Sequence, residues 1–436
     1  MNIYRLPLEE EKYRKLLQRA EADINSHLEL AGRVCRHVQE QGDEALLYYT
    51  RTFDGVNLTR AELKVTEEEL VRAFTGLDDK TRETLQYAAA NIEKFHREQL
   101  PPPIWMKEME QGVLAGEKVS PLGDVCLYVP RGKGSFPSVM LMLGIPAVVA
   151  GVPRVVVTTP PAAEREKEAA TLAAAYIAGI KEVYRVGGMQ AIAAVAYGTE
   201  TIPPCRKVVG PGNAYVNAAK RFLYGVMDVG LPAGPSEAII LADASADPRI
   251  VALDLLIEAE HGPDSASLLV THVPALAEAV PPLVAELLEQ LPPEKRSYAA
   301  TVFQKNGGIV LTRSLEESLS FVNEYAPEHL EVITADPFSL LPRIDNAGEI
   351  LLGPHTPITL ANFLMGPNAI LPTGSFARSY SGISVHDFLK RSSFGSASPG
   401  GLARVREAAA HFAETEGFAA HAMAVRLRPV THDDVV

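Results

Sequence analysis

Residues from about 10 to 100 space their apolar side chains at helical intervals among many charges, as in SHLELAGRVCRHVQEQGDEALLYY, and predict helices that each bury one face. The prolines at 101–103 end that region. Short β-branched runs then alternate with helical patterns: VVVTT (155–159), a helix through Ile180, VYRV (183–186), a helix after Met189, and KVVG (207–210) before another helix. A second alternation follows in AIILAD (238–243), SLLVTH (267–272), GIVLTR (308–313), LEVITAD (330–336) and EILLGP (349–354). Strand and helix in alternation predict parallel sheets. The fold class is therefore α/β: two Rossmann-like doubly wound domains, a helical N-terminal region and a C-terminal helical tail.

Residues 1–22 read as a helical arm, 23–128 with 237–385 as a discontinuous α/β domain, 129–236 as a second α/β domain, and 386–436 as linker and tail. Within the last of these, SSFGSASPGG (392–401) has the composition of a linker, and the amphipathic tail ends near Val425.

At 436 residues the chain can bury more than one core. No stretch approaches the roughly 18 uninterrupted apolar residues of a spanning helix. The N-terminus MNIYRLPLEEEKYRKLLQRAE carries charge where a signal peptide is apolar, which predicts a cytoplasmic protein. Cys35, Cys126 and Cys205 are too far apart for a metal knuckle and form no disulfide framework. A net charge of −13 argues against nucleic acid as a partner.

In ADPRIVALDLLIEAEHGPDS, Asp247 suits an N-cap, Pro248 the first helical position, and Gly262-Pro263 a helix stop. Glu258 and His261 then share the last turn, about 60° apart around the axis, where they can converge on a metal ion. A C-terminal histidine answering the helix dipole beside a solvated glutamate is the alternative. In YAPEHLEVIT, Glu328 and His329 stand at a strand entrance as a candidate acid–base pair. Gly-rich turns occur in YVPRGKGSFPS (128–138), VGGMQAI (186–192) and VGPGNAYVN (209–217). The last two follow strands and open helices, where backbone N–H groups can receive phosphates or simply make a tight turn.

Taken together, YVPRGKGSFPSV, RVGGMQAIAAVAYGTE, KVVGPGNAYV, LPAGPSE, AEHGPDS, APEHLE and ILPTG, in this order and spacing, resemble the histidinol dehydrogenase family over nearly the whole chain. The resemblance implies a homodimer with shared active sites, one zinc ion per site, and a four-electron oxidation of L-histidinol to L-histidine by two NAD. It assigns His329 as general base and Glu328 as the carboxylate that activates water in the aldehyde-oxidising half. It matches Tyr128, Gln190 and Asn213 to NAD contacts, and Ser236 and Glu416 to substrate contacts. The tail carrying Glu416 and His421 would reach a partner subunit.

The family's Gln–His–Asp–His zinc set reads here as Glu258, His261, Asn362 and His421. An amide and an acid have changed places, so the formal charge of the set is kept. Ala369 stands where the family has a substrate-contacting histidine, and Arg131 replaces a glycine. Arg131 faces either the pocket or solvent. In the pocket it would favour an anionic alcohol, which defines a paralogue as the second reading. A zinc hydrolase or a non-catalytic binding paralogue are the readings outside the class.

Overall fold

The computed structural model describes residues 1–18, 24–131 and 135–429. Residues 132–134 of the first Gly-rich turn and the end of the expected N-terminal arm lie outside that set, as does the chain beyond 429. The chain forms two compact units, residues 1–99 with 123–388 and residues 100–122 with 389–436. In chain order the strands are β1 (Ile3–Arg5), β2 (Ile104–Glu110), β3 (Val113–Pro121), β4 (Asp124–Tyr128), β5 (Arg154–Thr159), β6 (Glu182–Arg185), β7 (Val208–Val209), β8 (Glu237–Ala242), β9 (Ala266–Thr271), β10 (Gly308–Leu311), β11 (His329–Ile333), β12 (Glu349–Leu352) and β13 (Leu389–Ala397).

The first unit holds two sheets, ordered β6-β5-β4-β7 and β1-β10-β9-β8-β11-β12. Every pairing in both is parallel. The α/β expectation and its parallel sheets therefore hold, and each β-branched run read from the sequence is a strand. Strands buried on both faces feed two cores. Ile239 and Leu241 of β8 pack with Phe321, Val322 and Leu330, while Ile240 and Ala242 pack with Val251, Leu255 and Val280 on the opposite face. The smaller sheet has its own core, where Cys126, Val156 and Val208 meet Ile192, Val216 and Val34.

Three readings need correction. The boundary expected at 128/129 falls inside the small sheet, where β4 pairs with β5 and β7, and residues 100–122 belong to the second unit. Residues 3–5, expected within a helical arm, form β1, which pairs with β10 at the sheet edge. Three residues are too few to show a strand period, so only the pairing makes them one. The expected linker at 392–401 lies mostly in β13, antiparallel to β3 from Leu389↔Pro121 to Ala397↔Val113. Its serines and glycines suit an exposed strand, and partnership outweighs their low β-propensity. With β2 this makes a three-stranded sheet in the second unit, followed by the helices Pro399–Thr415 and Ala419–Arg426. Among the described residues, no helix is long and apolar enough to cross a membrane.

Candidate active site

The helix Pro248–Ala259 starts as its sequence requires, with Asp247 accepting a hydrogen bond from the Arg249 amide at 2.8 Å. It ends earlier than the motif suggests, so Glu258 lies in the last turn and His261 in the turn beyond. The two still meet: His261 Nδ1 is 2.8 Å from Glu258 Oε2. Glu258 is almost fully buried, and Asn362 from the helix Ile358–Phe363 donates to its Oε1 at 3.3 Å. Burial alone would raise the Glu258 carboxyl, but the hydrogen bond and charge of His261 outweigh it and bring it to about 2. Ser236, just ahead of β8, stands 3.0 Å from His261 Nδ1 through its hydroxyl. Three of the four expected zinc ligands and one expected substrate contact thus come together.

His329 opens β11 and is buried, as is Glu328 before it. Glu328 Oε2 accepts from the Glu237 amide at 2.8 Å, and its Oε1 lies 3.9 Å from His329 Nε2. Burial drives the Glu328 carboxyl well above its usual range, and the neighbouring Glu258 and Glu237 add to this against the opposing pull of His329. For His329, burial works downward but is outweighed by Glu349, Glu328 and Glu258, which set it at about 9. The Glu349 contact was not read from the sequence. Its signal is the one that marks Glu328 and His329, a charged residue directly ahead of an apolar run, here in AGEILLGP.

Asp254, one helical turn before Glu258, and Glu331 of β11 form a second buried carboxyl pair behind this cluster. Glu331 Oε1 accepts from the Ile358 amide at 2.5 Å and so anchors the start of the helix that carries Asn362. Burial and the Asp254 charge raise Glu331 to about 9, so this pair holds a proton at neutral pH.

The three expected NAD contacts lie at the carboxyl ends of the small sheet. The Tyr128 hydroxyl, at the end of β4, accepts from the Gly188 amide at 3.1 Å. Gln190 follows on the helix Gly188–Tyr197, its Nε2 3.5 Å from Asp54 Oδ2 and its buried Oε1 without a hydrogen-bond partner among the described residues. Asn213 caps the helix Ala214–Leu223, accepting from the Val216 amide at 3.1 Å. Gly210 must be glycine here: its φ is +130°, and a Cβ would lie 2.1 Å from the Tyr128 carbonyl oxygen.

Arg131 is largely shielded from solvent and lies beside Glu168. Its side chain is 14% exposed, with Nη1 4.0 Å from Glu168, which also receives Arg185 Nε at 2.9 Å. Arg131 Nη2 is buried and has no hydrogen-bond partner among the described residues. Ala369 donates its amide to Met142 Sδ at 3.4 Å. His421 lies on the helix Ala419–Arg426 and Glu416 ends the helix before it, both in the second unit. Among the described residues, no group of three or more His, Cys, Asp or Glu side chains is placed to hold a metal ion. Cys126 and Cys205 are buried, and burial pushes the Cys126 thiol up to about 12, so it is no nucleophile at neutral pH.

Residues 17–429 match the family model described as histidinol dehydrogenase. A histidinol dehydrogenase from Synechocystis sp. is 52% identical over 414 residues, covering 95% of each chain. A histidinol dehydrogenase homolog from Cereibacter sphaeroides is 50% identical over 94% of this chain and 93% of its own. The crystal structure of histidinol dehydrogenase from Elizabethkingia anophelis superposes with a TM-score of 0.92 at 35% identity, covering 98% of this chain and 97% of that one. These matches leave no room for the hydrolase and binding-protein readings: the chain belongs to the histidinol dehydrogenase family and is an NAD-dependent dehydrogenase acting on a CH–OH group.

Proposed function

We propose that this enzyme oxidises L-histidinol to L-histidine in two hydride transfers through the aldehyde, with NAD as acceptor and zinc in the site. The observation that carries the reading is the convergence of Glu258, His261, Asn362, Ser236, Glu328 and His329 at the amino ends of β8 and β11. A carboxylate, an imidazole and an amide suit zinc, and Glu258 and Ser236 already converge on the His261 ring. Glu258, His261 and Asn362 would hold the ion with His421 from a second copy of the chain, which makes the homodimer part of the site. Bound there, zinc would orient the substrate through its coordinating heteroatoms and polarise the alcohol.

His329 takes the hydroxyl proton at Nε2 as the hydride leaves for the nicotinamide. Glu328, beside that nitrogen, then draws a proton from water for attack on the aldehyde, and a second hydride transfer gives the carboxylate. Ser236, and Glu416 from the tail, hold the substrate. In this reading the small sheet, β4 to β7, carries the NAD side, and the large sheet the metal and acid–base side. The order β6-β5-β4-β7 is that of doubly wound nucleotide-binding sheets, and Tyr128, Gln190 and Asn213 stand at its carboxyl edge, where such sheets bind their ligands. The unpartnered Gln190 Oε1 is an acceptor that a nucleotide hydroxyl fits.

A second reading, oxidation of an anionic alcohol, draws on Ala369 and on the buried, unpartnered Nη2 of Arg131. Counting NADH per alcohol consumed on zinc-loaded protein decides between them. Two NADH per histidinol supports the first. Turnover of a carboxylated or sulfonated alcohol with none of histidinol would establish the second.

A further inference from the structure

β11 and β12 are parallel neighbours, and His329 and Glu349, the first residue of each, are partners in register. Residues in register on adjacent strands project from the same face of a sheet. The Gly348 amide donates to the Pro327 carbonyl and the Glu349 amide to the Glu328 carbonyl, each at 2.9 Å. A Cβ at Gly348 would come within 2.7 Å of the Glu328 carbonyl oxygen, so this close approach depends on the glycine. The outcome is a 3.0 Å contact between His329 Nδ1 and Glu349 Oε2, with side chains 3% and 7% exposed. Glu349 Oε1 is buried without a hydrogen-bond partner among the described residues, and the residue lines a cavity of about 1380 Å³ together with Lys207, Asp228 and Asp387. Lys207 is held by those two aspartates, at 3.3 and 3.8 Å, and leaves Glu349 to the imidazole.

Resting on the reading of His329 as the base, we propose that Glu349 is a positioning residue of the dehydrogenase. It keeps the proton on Nδ1, leaves the Nε2 lone pair free on the side of Glu328, and stabilises the imidazolium formed in the reaction. In that step the C–H bond breaks with its electron pair passing to NAD, the hydroxyl proton passes to Nε2, and the C=O bond forms. Both protons of the imidazolium are then accounted for, one from the substrate and one held by Glu349. A carboxylate behind a catalytic imidazole has a known worth: its replacement by an amide, which favours the wrong tautomer, costs about 10⁴ in a serine protease.

The groups facing His329 are Glu349 from β12, Glu328 and Glu331 from its own strand, and Glu258 and His261 from the end of the helix Pro248–Ala259. Removing Glu349 takes away the one that touches Nδ1.

Glu349→Gln is expected to lower kcat for histidinol by about 10² to 10⁴ with little change in KM, and to move the acid limb of the pH profile to lower pH. In Glu349→Ala, added formate should restore rate in proportion to its concentration, because the cavity opens onto the vacated carboxylate. The filled Glu349→Gln site should not respond. Imidazole nitrogen-15 NMR above about pH 9, where the ring is neutral and which needs no turnover, should show the His329 proton on Nδ1 in the wild type and shifted toward Nε2 in Glu349→Gln. That readout stands even if the wild type does not oxidise histidinol. Folded variants, judged by thermal melting, that keep the wild-type kcat, pH profile and His329 tautomer would overturn the proposal. So would a lowered kcat with neither formate rescue nor a tautomer change.

Discussion

The small sheet presents its carboxyl edge to the candidate site and builds it largely from backbone: a Gly-rich turn at 209–213, helix starts at Gly188 and Ala214, and the Tyr128 hydroxyl on an amide. The large sheet presents its amino edge, built from ionisable side chains: Glu237, Glu328, His329 and Glu349 at strand starts and Glu258 at a helix end. Strands that run into helices leave free N–H groups and positive helix ends, which favour phosphates. Strands that follow helices meet carbonyl ends, which favour a cation or imidazolium. Asn217 ties the two edges, donating to the Gly212 carbonyl at 3.0 Å and to the Ala233 carbonyl ahead of β8 at 2.8 Å. One unit thus offers an anion-favouring backbone edge and a cation-favouring side-chain edge, distinguished by strand polarity.

The strongest way to break this contrast is to empty the side-chain edge. His261→Ala should lose bound zinc, by elemental analysis, and turnover with it. A variant with full metal content and near-normal rate would remove His261 from the metal site.

His329→Ala should keep metal and lose about 10² to 10⁴ in NADH formation. Wild-type rate should climb with pH toward a plateau above about 9, where His329 becomes the neutral base. A plateau already reached near pH 6 would mean that another group takes the proton.

Whether the side-chain edge is completed by a second copy is tested by mixing inactive His329→Ala and His421→Ala proteins. Subunit exchange should restore part of the activity, since one hybrid site keeps both residues. Proven exchange without recovery would put both in one subunit's site.

The backbone edge is tested by stability. Asp54 carries a half-buried carboxyl that loss of solvent contact raises to about 6, against an ordinary value of 3.8. A raised carboxyl favours folding fully below about pH 4, and that contribution is lost as pH climbs through about 6. Asp54→Asn should therefore stabilise the protein by roughly 1–3 kcal/mol at pH 7.5 and not at pH 4. Equal melting shifts at both values would show that the charge is not the cause.

The smallest expected effect is at Asn213, where alanine removes a helix cap worth about 1 kcal/mol. NAD affinity should fall with it if the same amide also meets the dinucleotide. A melting shift with unchanged NAD affinity would leave Asn213 only its capping role.

The strands β5 to β12 of the two parallel sheets, the helix capped by Asp247 and the Glu328-His329 pair were legible in the sequence, because period, β-branching and capping chemistry act over a few residues. β1 and β13 were not, since a three-residue run and a serine-rich stretch become strands only through the partners they meet. Arg131 could be read toward pocket or solvent, and Glu168, 37 positions on, decided its place. Glu349 shows the same limit most clearly: its charge ahead of an apolar run was visible, but its partner was not. Register between two parallel strands, pairing residues 20 positions apart, is what puts its carboxylate on His329.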